Sequence, residues 1–418
     1  MFKRLLHRLK HSHDGKRVAS NVGYLMLLQF ASYLFPLLTI PYLARVLGVD
    51  RIGDIAFAAA IILWFKTVTE WGFNYTATRD IARCRDNKTE TSEILSNVLW
   101  SKIALAVICL LVLYLASEWI PALKQRQAII MISFLLIPGD IIFPVWFFQA
   151  LERMRYITIL QLLSRAVFTA CVFLFIKTKD DYMMQPFFIA MGGIVSGCFA
   201  LYIIYSKWQY RLHKPKIKLI FKTIKESSDV FLNQIIPNLY NSFSTVLLGA
   251  LHGSTANGLL DAGTKFVTVA RSLLDVLSRA FFPFLSRKLS YHNVYQLLSI
   301  SISVVSALLL FILAPVIIKL FYTEEFYDAI IVLRIVSLSI IFLSLSNIFG
   351  VNYLILRGFE KELRNITLVS SIFGFIIAWP LVYFYGYIGA ALTITGTRVA
   401  LGTVIMLSAL QKQRTSTN

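Results

Sequence analysis

The sequence predicts an all-α protein that crosses a membrane many times; composition, apolar runs and charge placement each point that way. Of its 418 residues 57% are hydrophobic and 15% charged, with a mean hydropathy of +0.68, whereas about a quarter of an ordinary soluble domain is charged. A soluble domain has no means of hiding so much apolar surface. The apolar residues come in runs of about 20, the helical length that spans a bilayer. Twelve spans are expected, near residues 20–44, 53–73, 95–117, 127–150, 155–177, 187–206, 228–250, 262–284, 293–318, 330–355, 365–385 and 387–410.

Charge placement orients these spans. A net charge of +19 by itself invites a nucleic-acid reading, but about 26 of the 41 Lys and Arg fall in the tails and in alternate loops, against about 7 in the opposite loops. The richest stretches are Lys3–Arg17, Arg79–Lys88 and Lys207–Lys225. That asymmetry is the positive-inside signal, so it implies cytoplasmic termini and no nucleic-acid partner. The first apolar run, Gly23 to Leu47, is too long for a signal-peptide core and lacks a small-residue cleavage site, so it is expected to be retained. Cys84, Cys109, Cys171 and Cys198 show no metal-ligand spacing, and neither a disulfide framework, a metal nor a cofactor is expected.

Weak matches between the halves recur in the same order at an offset of about 200–209 residues. Gly48 and Gly53 are answered by Gly249 and Gly258, Phe73–Arg79 by Phe281–Arg287, and Leu151–Thr158 by Phe359–Thr367. They suggest a duplicated six-helix unit, and an even number of spans makes the repeats parallel. The expected organisation is an N-terminal lobe at 1–206, a basic cytoplasmic linker at 207–227 and a C-terminal lobe at 228–418. The lobes would form a V around a central cavity, with a substrate site between the repeats.

Polar faces locate the candidate pathway. Asn21, Gln29, Ser32, Tyr33, Pro36 and Thr39 share one side of the first span, and Lys66, Glu70 and Asn74 follow in successive turns of the second. The seventh carries Asp229, Asn233, Gln234, Pro237, Tyr240, Asn241 and Ser244. In the eighth, Asp261, Lys265, Arg271, Asp275 and Arg279 lie on one helical face, behind which run Val267, Ala270, Leu274 and other apolar residues. Each charge facing lipid would cost about 2.5–3.5 kcal/mol, so this face should meet protein or water. Its spacing also fits self-neutralisation, Asp261 with Lys265 and Asp275 with Arg271 and Arg279. Two acids against three bases still leave a positive surplus, suited to an anion.

Other intramembrane charges read more simply. Lys102 and Arg334 are expected to snorkel to the surface, and Arg165 and Arg398 to make contacts between helices. Pro36 and Pro237 are expected to mark bends. Asp140, in Pro138-Gly139-Asp140, is either a proton-titrating site or the cap of a broken helix. No P-loop, HExxH or nucleophile elbow occurs, so nothing suggests an enzyme.

Pro41-Tyr42-Leu43-Ala44-Arg45-Val46-Leu47-Gly48, with Gly53, and Gly72-Phe73-Asn74-Tyr75-Thr76-Ala77-Thr78-Arg79-Asp80-Ile81-Ala82 resemble the O-antigen (Wzx-type) flippases. These form part of the polysaccharide-transporter branch of the multidrug/oligosaccharidyl-lipid/polysaccharide exporter superfamily. The resemblance implies a flippase of the bacterial inner membrane that moves an oligosaccharide on undecaprenyl diphosphate to the periplasmic leaflet by alternating access, coupled to a proton or sodium gradient. Arg45, Lys66, Lys265, Arg271 and Arg279 are then candidates to attract the diphosphate. Gln29, Asn74, Asn233 and Asn241 would meet sugar hydroxyls, and Glu70 and Asp275 would serve ion coupling. A polysaccharide polymerase and a chain-length regulator would be partners, besides the lipid bilayer. Two alternatives compete. A multidrug exporter of the same superfamily should show a negative cavity, and a polytopic glycan polymerase or ligase should show a large outer loop.

Overall fold

The computed structural model describes residues 13–235, 238–285 and 291–415, with side chains left out at 13–22, 25, 232–234, 238–241, 280, 283, 284, 414 and 415. Among these residues every regular element is helical. In chain order the principal helices are α1 (His13–Glu70), α2 (Phe73–Cys84), α3 (Lys88–Trp119), α4 (Gln127–Phe134), α5 (Leu136–Ile142), α6 (Val145–Ala150) and α7 (Met154–Phe175). There follow α8 (Met184–Tyr202), α9 (Ile217–Ile235), α10 (Asn238–Leu285), α11 (His292–Phe321), α12 (Ala329–Ser337), α13 (Ser339–Leu345) and α14 (Glu360–Thr415).

Seven helical stretches among the described residues are long and apolar enough to cross a membrane, and Glu360–Gln413 holds two of the expected spans. The described parts of the expected segments are mostly helical, while the count of twelve rests on the sequence. Large apolar side chains such as Leu111, Leu174, Ile312 and Phe384 are exposed, as residues that face lipid are.

Three pairs of expected spans are drawn into single bent helices. The bends lie at Gly48 in α1 (φ 74°, ψ 177°), Gly253 in α10 (φ 83°, ψ −171°) and Gly386 in α14 (φ 53°, ψ −129°). Only glycine takes such dihedrals without steric cost. Gly253 therefore answers Gly48, and the sequence pairing of Gly48 with Gly249 is corrected by four residues. Pro36 sits inside helical backbone, and the non-helical dihedrals of α1 fall at Gly48; Pro237, the other expected bend, lies outside the described residues.

The chain separates into two compact units, one comprising residues up to Tyr42 and Phe65–Leu232, the other Leu43–Trp64 and Asn233 onward. In the first, Trp71 (φ 42°) and Gly72 (φ 79°) end α1 and turn the chain into α2. The Trp71 ring stacks on Phe231 at 4.0 Å, its Nε1 donates to the Ile224 carbonyl at 3.0 Å, and a Cβ at Gly72 would strike Val230 at 2.8 Å. Asn74 consequently belongs to α2 and does not continue the Lys66 and Glu70 face, contrary to the helical extrapolation. The Phe73–Ala82 motif is a packing device: Phe73, Ala77 and Ile81 are buried, Thr76 shares a hydrogen bond with Ser227 at 2.8 Å, and Thr78 donates to the Trp146 carbonyl at 3.2 Å.

In the second unit the limb of α1 after Gly48 packs on the limb of α10 after Gly253. A Cβ on Gly53 would fall 1.7 Å from the Ser254 carbonyl oxygen, and one on Gly258 would fall 2.2 Å from that of Val49. Gly53 and Gly258 stand 205 positions apart, and so do Val49 and Ser254. The two contacts are therefore the same contact made twice with the partners exchanged, the geometry of an isologous seam. Ser254 donates to Asp54 and Thr255 to Asp50 across it.

Candidate functional site

Apart from Arg45, the charged residues expected to carry function fall in two polar centres, one in each unit. In the first unit, Lys66 on α1 reaches the Asp140 carboxylate on α5 at 2.5 Å, with the side chains 37% and 43% exposed. Asp140 lies inside α5 and accepts this ion pair, so it does not cap a broken helix. Glu70, one turn beyond Lys66, is half-buried. Lys102 on α3 is 3% exposed and interacts electrostatically with Lys66, Glu70 and Asp140. The expected snorkelling is thus wrong: Lys102 turns inward, because two carboxylates supply the countercharge that the surface would otherwise provide. The centre holds two cations and two acids and is balanced.

Gln29, also in the first unit, donates its side-chain amide to the Tyr33 hydroxyl one turn on. Asn74, half-buried on α2, accepts at its carbonyl from Thr78 at 2.6 Å.

The second unit carries the face from Asp261 to Arg279 on the later limb of α10. Of the apolar back, Val267, Ala270 and Leu274 are buried and Leu273 is exposed, while on the polar side Thr268, Arg271 and Arg279 are exposed. Both local ion pairs form, Lys265 with Asp261 at 2.8 Å and Arg271 with Asp275 at 3.6 Å. Asp275 also accepts from the Asn347 amide at 2.9 Å. Arg279 has no carboxylate within ion-pair distance among the described residues; its Nε donates to the Asp275 carbonyl at 3.2 Å. The net charge of the face is positive by one, carried by Arg279. Arg45 is exposed on α1 just before the bend. The side chains of Asn233 and Asn241 lie outside the described residues.

Below this face sits a buried polar network that spacing alone does not reveal. The Asn352 amide donates to the Ser278 hydroxyl at 2.6 Å, the Tyr295 hydroxyl at 3.0 Å and the Asn347 carbonyl at 3.1 Å. Asn347 and Asn352 belong to a π-helical stretch, Ser346–Leu354, and the wider π turn lets two residues five apart address α10 together. Arg398 donates to Ser339 at 3.0 Å, the contact between helices that was expected. The described residues hold no cluster of His, Cys, Asp or Glu fit for a metal ion.

Comparison with known proteins adds to this geometry. A family model described as polysaccharide biosynthesis protein matches residues 18–289. An Escherichia coli (strain K12) protein named "Putative O-antigen transporter" is 29% identical over 395 residues, covering 93% of this chain and 95% of its own. A Shigella dysenteriae protein of the same name is 27% identical over 398 residues, covering 94% and 99%. Among solved structures, the lipid II flippase MurJ in an inward closed conformation superposes with a TM-score of 0.76 at 16% identity, over 92% of this chain and 87% of that one. An inward-facing multidrug resistance MATE family transporter of the MOP superfamily gives 0.66 at 13% identity, over 90% and 94%. At such identities the two structures establish the fold alone.

Proposed function

Since this chain belongs to the polysaccharide biosynthesis protein family, we propose that it is a membrane transporter that carries an O-antigen repeat unit on undecaprenyl diphosphate from the cytoplasmic to the periplasmic leaflet of a bacterial inner membrane. The observation that carries the substrate assignment is the cationic surplus of the Asp261–Arg279 face, because two of its three bases are neutralised locally and the third is not. A diphosphate is the component of such a substrate that a surplus of positive charge would select. The names of the relatives support the saccharide cargo.

In this reading the protein works by alternating access. Arg45, Lys66, Lys265, Arg271 and Arg279 attract the diphosphate, and Gln29, Asn74, Asn233 and Asn241 meet sugar hydroxyls. The polyprenyl tail stays in the bilayer, as burial of about 0.8 kcal/mol per CH₂ requires. Glu70 and Asp275 take the coupling proton or sodium ion. Both termini are cytoplasmic, and a polymerase and a chain-length regulator receive the product outside.

The test is surface polysaccharide in a strain lacking its own O-antigen transporter. The wild-type chain restores it, and the Lys265→Ala/Arg271→Ala variant, present in the membrane at wild-type level, does not. Full restoration by that variant would sink the diphosphate assignment. For coupling, flipping in reconstituted vesicles should slow when proton and sodium gradients are collapsed, and an unchanged rate refutes a role for either.

A further inference from the structure

We propose that the first unit carries a second anion site, remote in sequence from the Asp261–Arg279 face, that binds a phosphate-bearing group: the chemistry shared by an anionic lipid headgroup and a free pyrophosphate. It is a cavity of about 460 Å³ where the chain leaves α2, passes between α6 and α7, and leaves α8. That volume falls within the range of ordinary ligand pockets. The charge distribution expects all three segments on the cytoplasmic side.

Four cations line it, Arg85, Lys88, Arg153 and Lys207, with Asp86 as the acid. Arg85 also meets Glu152 at 3.6 Å. Two acids against four bases leave a surplus of two, the charge a diphosphate or a pair of phosphodiesters would neutralise. Among the described residues Lys88 and Lys207 have no carboxylate within ion-pair distance, and both are exposed.

The aromatic wall is built more rigidly than a loop needs. After α8 the helix widens to a π turn, Ile203–Lys207, and the Trp208 and Tyr210 amides donate back to the Ile203 and Ile204 carbonyls at 3.0 and 3.1 Å. Trp208 is wedged edge-to-face against Tyr156 at 5.2 Å and Phe148 at 5.5 Å, and Tyr210 against Phe147 at 5.1 Å. Arg153 lies 5.8 Å over the Trp208 ring, which fixes its guanidinium. Burial pushes the Tyr210 phenol up, against the opposing pull of the Arg153 charge, so it remains a neutral hydrogen-bond donor. Among the described residues three non-glycine positions take positive φ, and two of them, Glu152 (φ 56°) and Gln209 (φ 58°), stand next in sequence to residues that line this cavity. Side chains other than glycine rarely hold that conformation without surrounding structure to enforce it. Basic pockets edged by Trp and Tyr at the cytoplasmic boundary are where membrane proteins hold anionic headgroups.

The experiment uses the full chain, purified in neutral detergent, with native mass spectrometry against cardiolipin, phosphatidylethanolamine as the zwitterionic control, and inorganic pyrophosphate as the soluble competitor. Cardiolipin should be retained over phosphatidylethanolamine, and Lys88→Gln/Lys207→Gln should weaken its binding roughly thirtyfold, about fivefold for each Lys removed. Lys88→Arg/Lys207→Arg should keep it. Loss of the complex on adding pyrophosphate assigns the site to phosphates in general, and persistence assigns it to the lipid headgroup. Equal retention of cardiolipin by the wild type and the double Gln variant, both monodisperse and equally stable to heating, would overturn the proposal.

Discussion

Asn257→Leu should lock the seam between the later limbs of α1 and α10. Asn257 is fully buried, and neither its Oδ1 nor its Nδ2 has a hydrogen-bond partner among the described residues. Its amide packs against Gly249, which in turn faces the buried Phe57. A buried amide without partners forfeits about 1–3 kcal/mol of desolvation that water would return. An opening of this seam during transport would rehydrate Asn257, so the cost would be borne in the closed state only. Leucine has nearly the same shape and no polar atoms. It should favour the closed seam by about 1–3 kcal/mol, which shifts the equilibrium roughly 5- to 150-fold. Two assays follow that shift: modification of Ala256→Cys, a buried position on the same limb, by an impermeant maleimide in a background without other cysteines, and flipping in vesicles. Both should fall together while the unfolding temperature rises. An unfolding temperature below wild type would mean that Asn257 has partners in the native protein, and unchanged flipping with a stabilised seam would mean that the seam does not open during transport.

The reciprocal geometry makes a matched prediction: Gly53→Ala and Gly258→Ala should each cost at least the 1–3 kcal/mol typical of overpacking, to a similar extent, since each Cβ meets a backbone carbonyl; thermal unfolding of both variants checks this, and a large inequality would count against the repeat. Lys66→Ala should change stability by no more than about 1 kcal/mol, because the Lys66–Asp140 pair is partly exposed and screened, yet abolish surface polysaccharide; a stable variant with normal polysaccharide removes Lys66 from the site. Arg279→Gln should impair transport more than Lys265→Gln, because only the first removes the uncompensated charge, and the reverse ranking in the complementation assay would place the substrate elsewhere. Asn352→Leu, which strips three hydrogen bonds from a fully buried position, should destabilise the second unit by several kcal/mol, read as loss of monodisperse protein after heating.

Helical periodicity made much of the fold legible because a lipid-exposed helix must be apolar wherever no other helix covers it. The charged face of α10 and its buried back follow from 100° per residue alone. The bends were not legible to the same degree. Each falls at a glycine, but glycines also serve close approach, and Gly249, Gly253 and Gly258 crowd one segment. Only the dihedrals tell which of them turns the chain. Likewise, the expected second span runs through Trp71 to residue 73, and the end of α1 is decided by tertiary contacts to Phe231, Ile224 and Val230.

The same division between local and tertiary information governs the charges. Pairs at (i, i+4) are written in the sequence, and both of those on α10 form. Partners on different helices are not, which is why Asp140 stayed ambiguous and Lys102 was sent the wrong way. This asymmetry bears on function. Local pairing neutralises charge on the helix that carries it whatever the rest of the molecule does, so the residual charge of the α10 face survives any rearrangement of the helices. The Lys66, Glu70, Lys102 and Asp140 centre is balanced across α1, α3 and α5, so any motion between those helices unbalances it. A substrate charge is best met by the first kind of site and a coupling ion by the second, because coupling needs an affinity that changes with conformation. On that argument Glu70, within the tertiary centre, is the better placed of the two proposed ion-coupling candidates, whereas Asp275 is tied to Arg271 on its own helix and to Asn347.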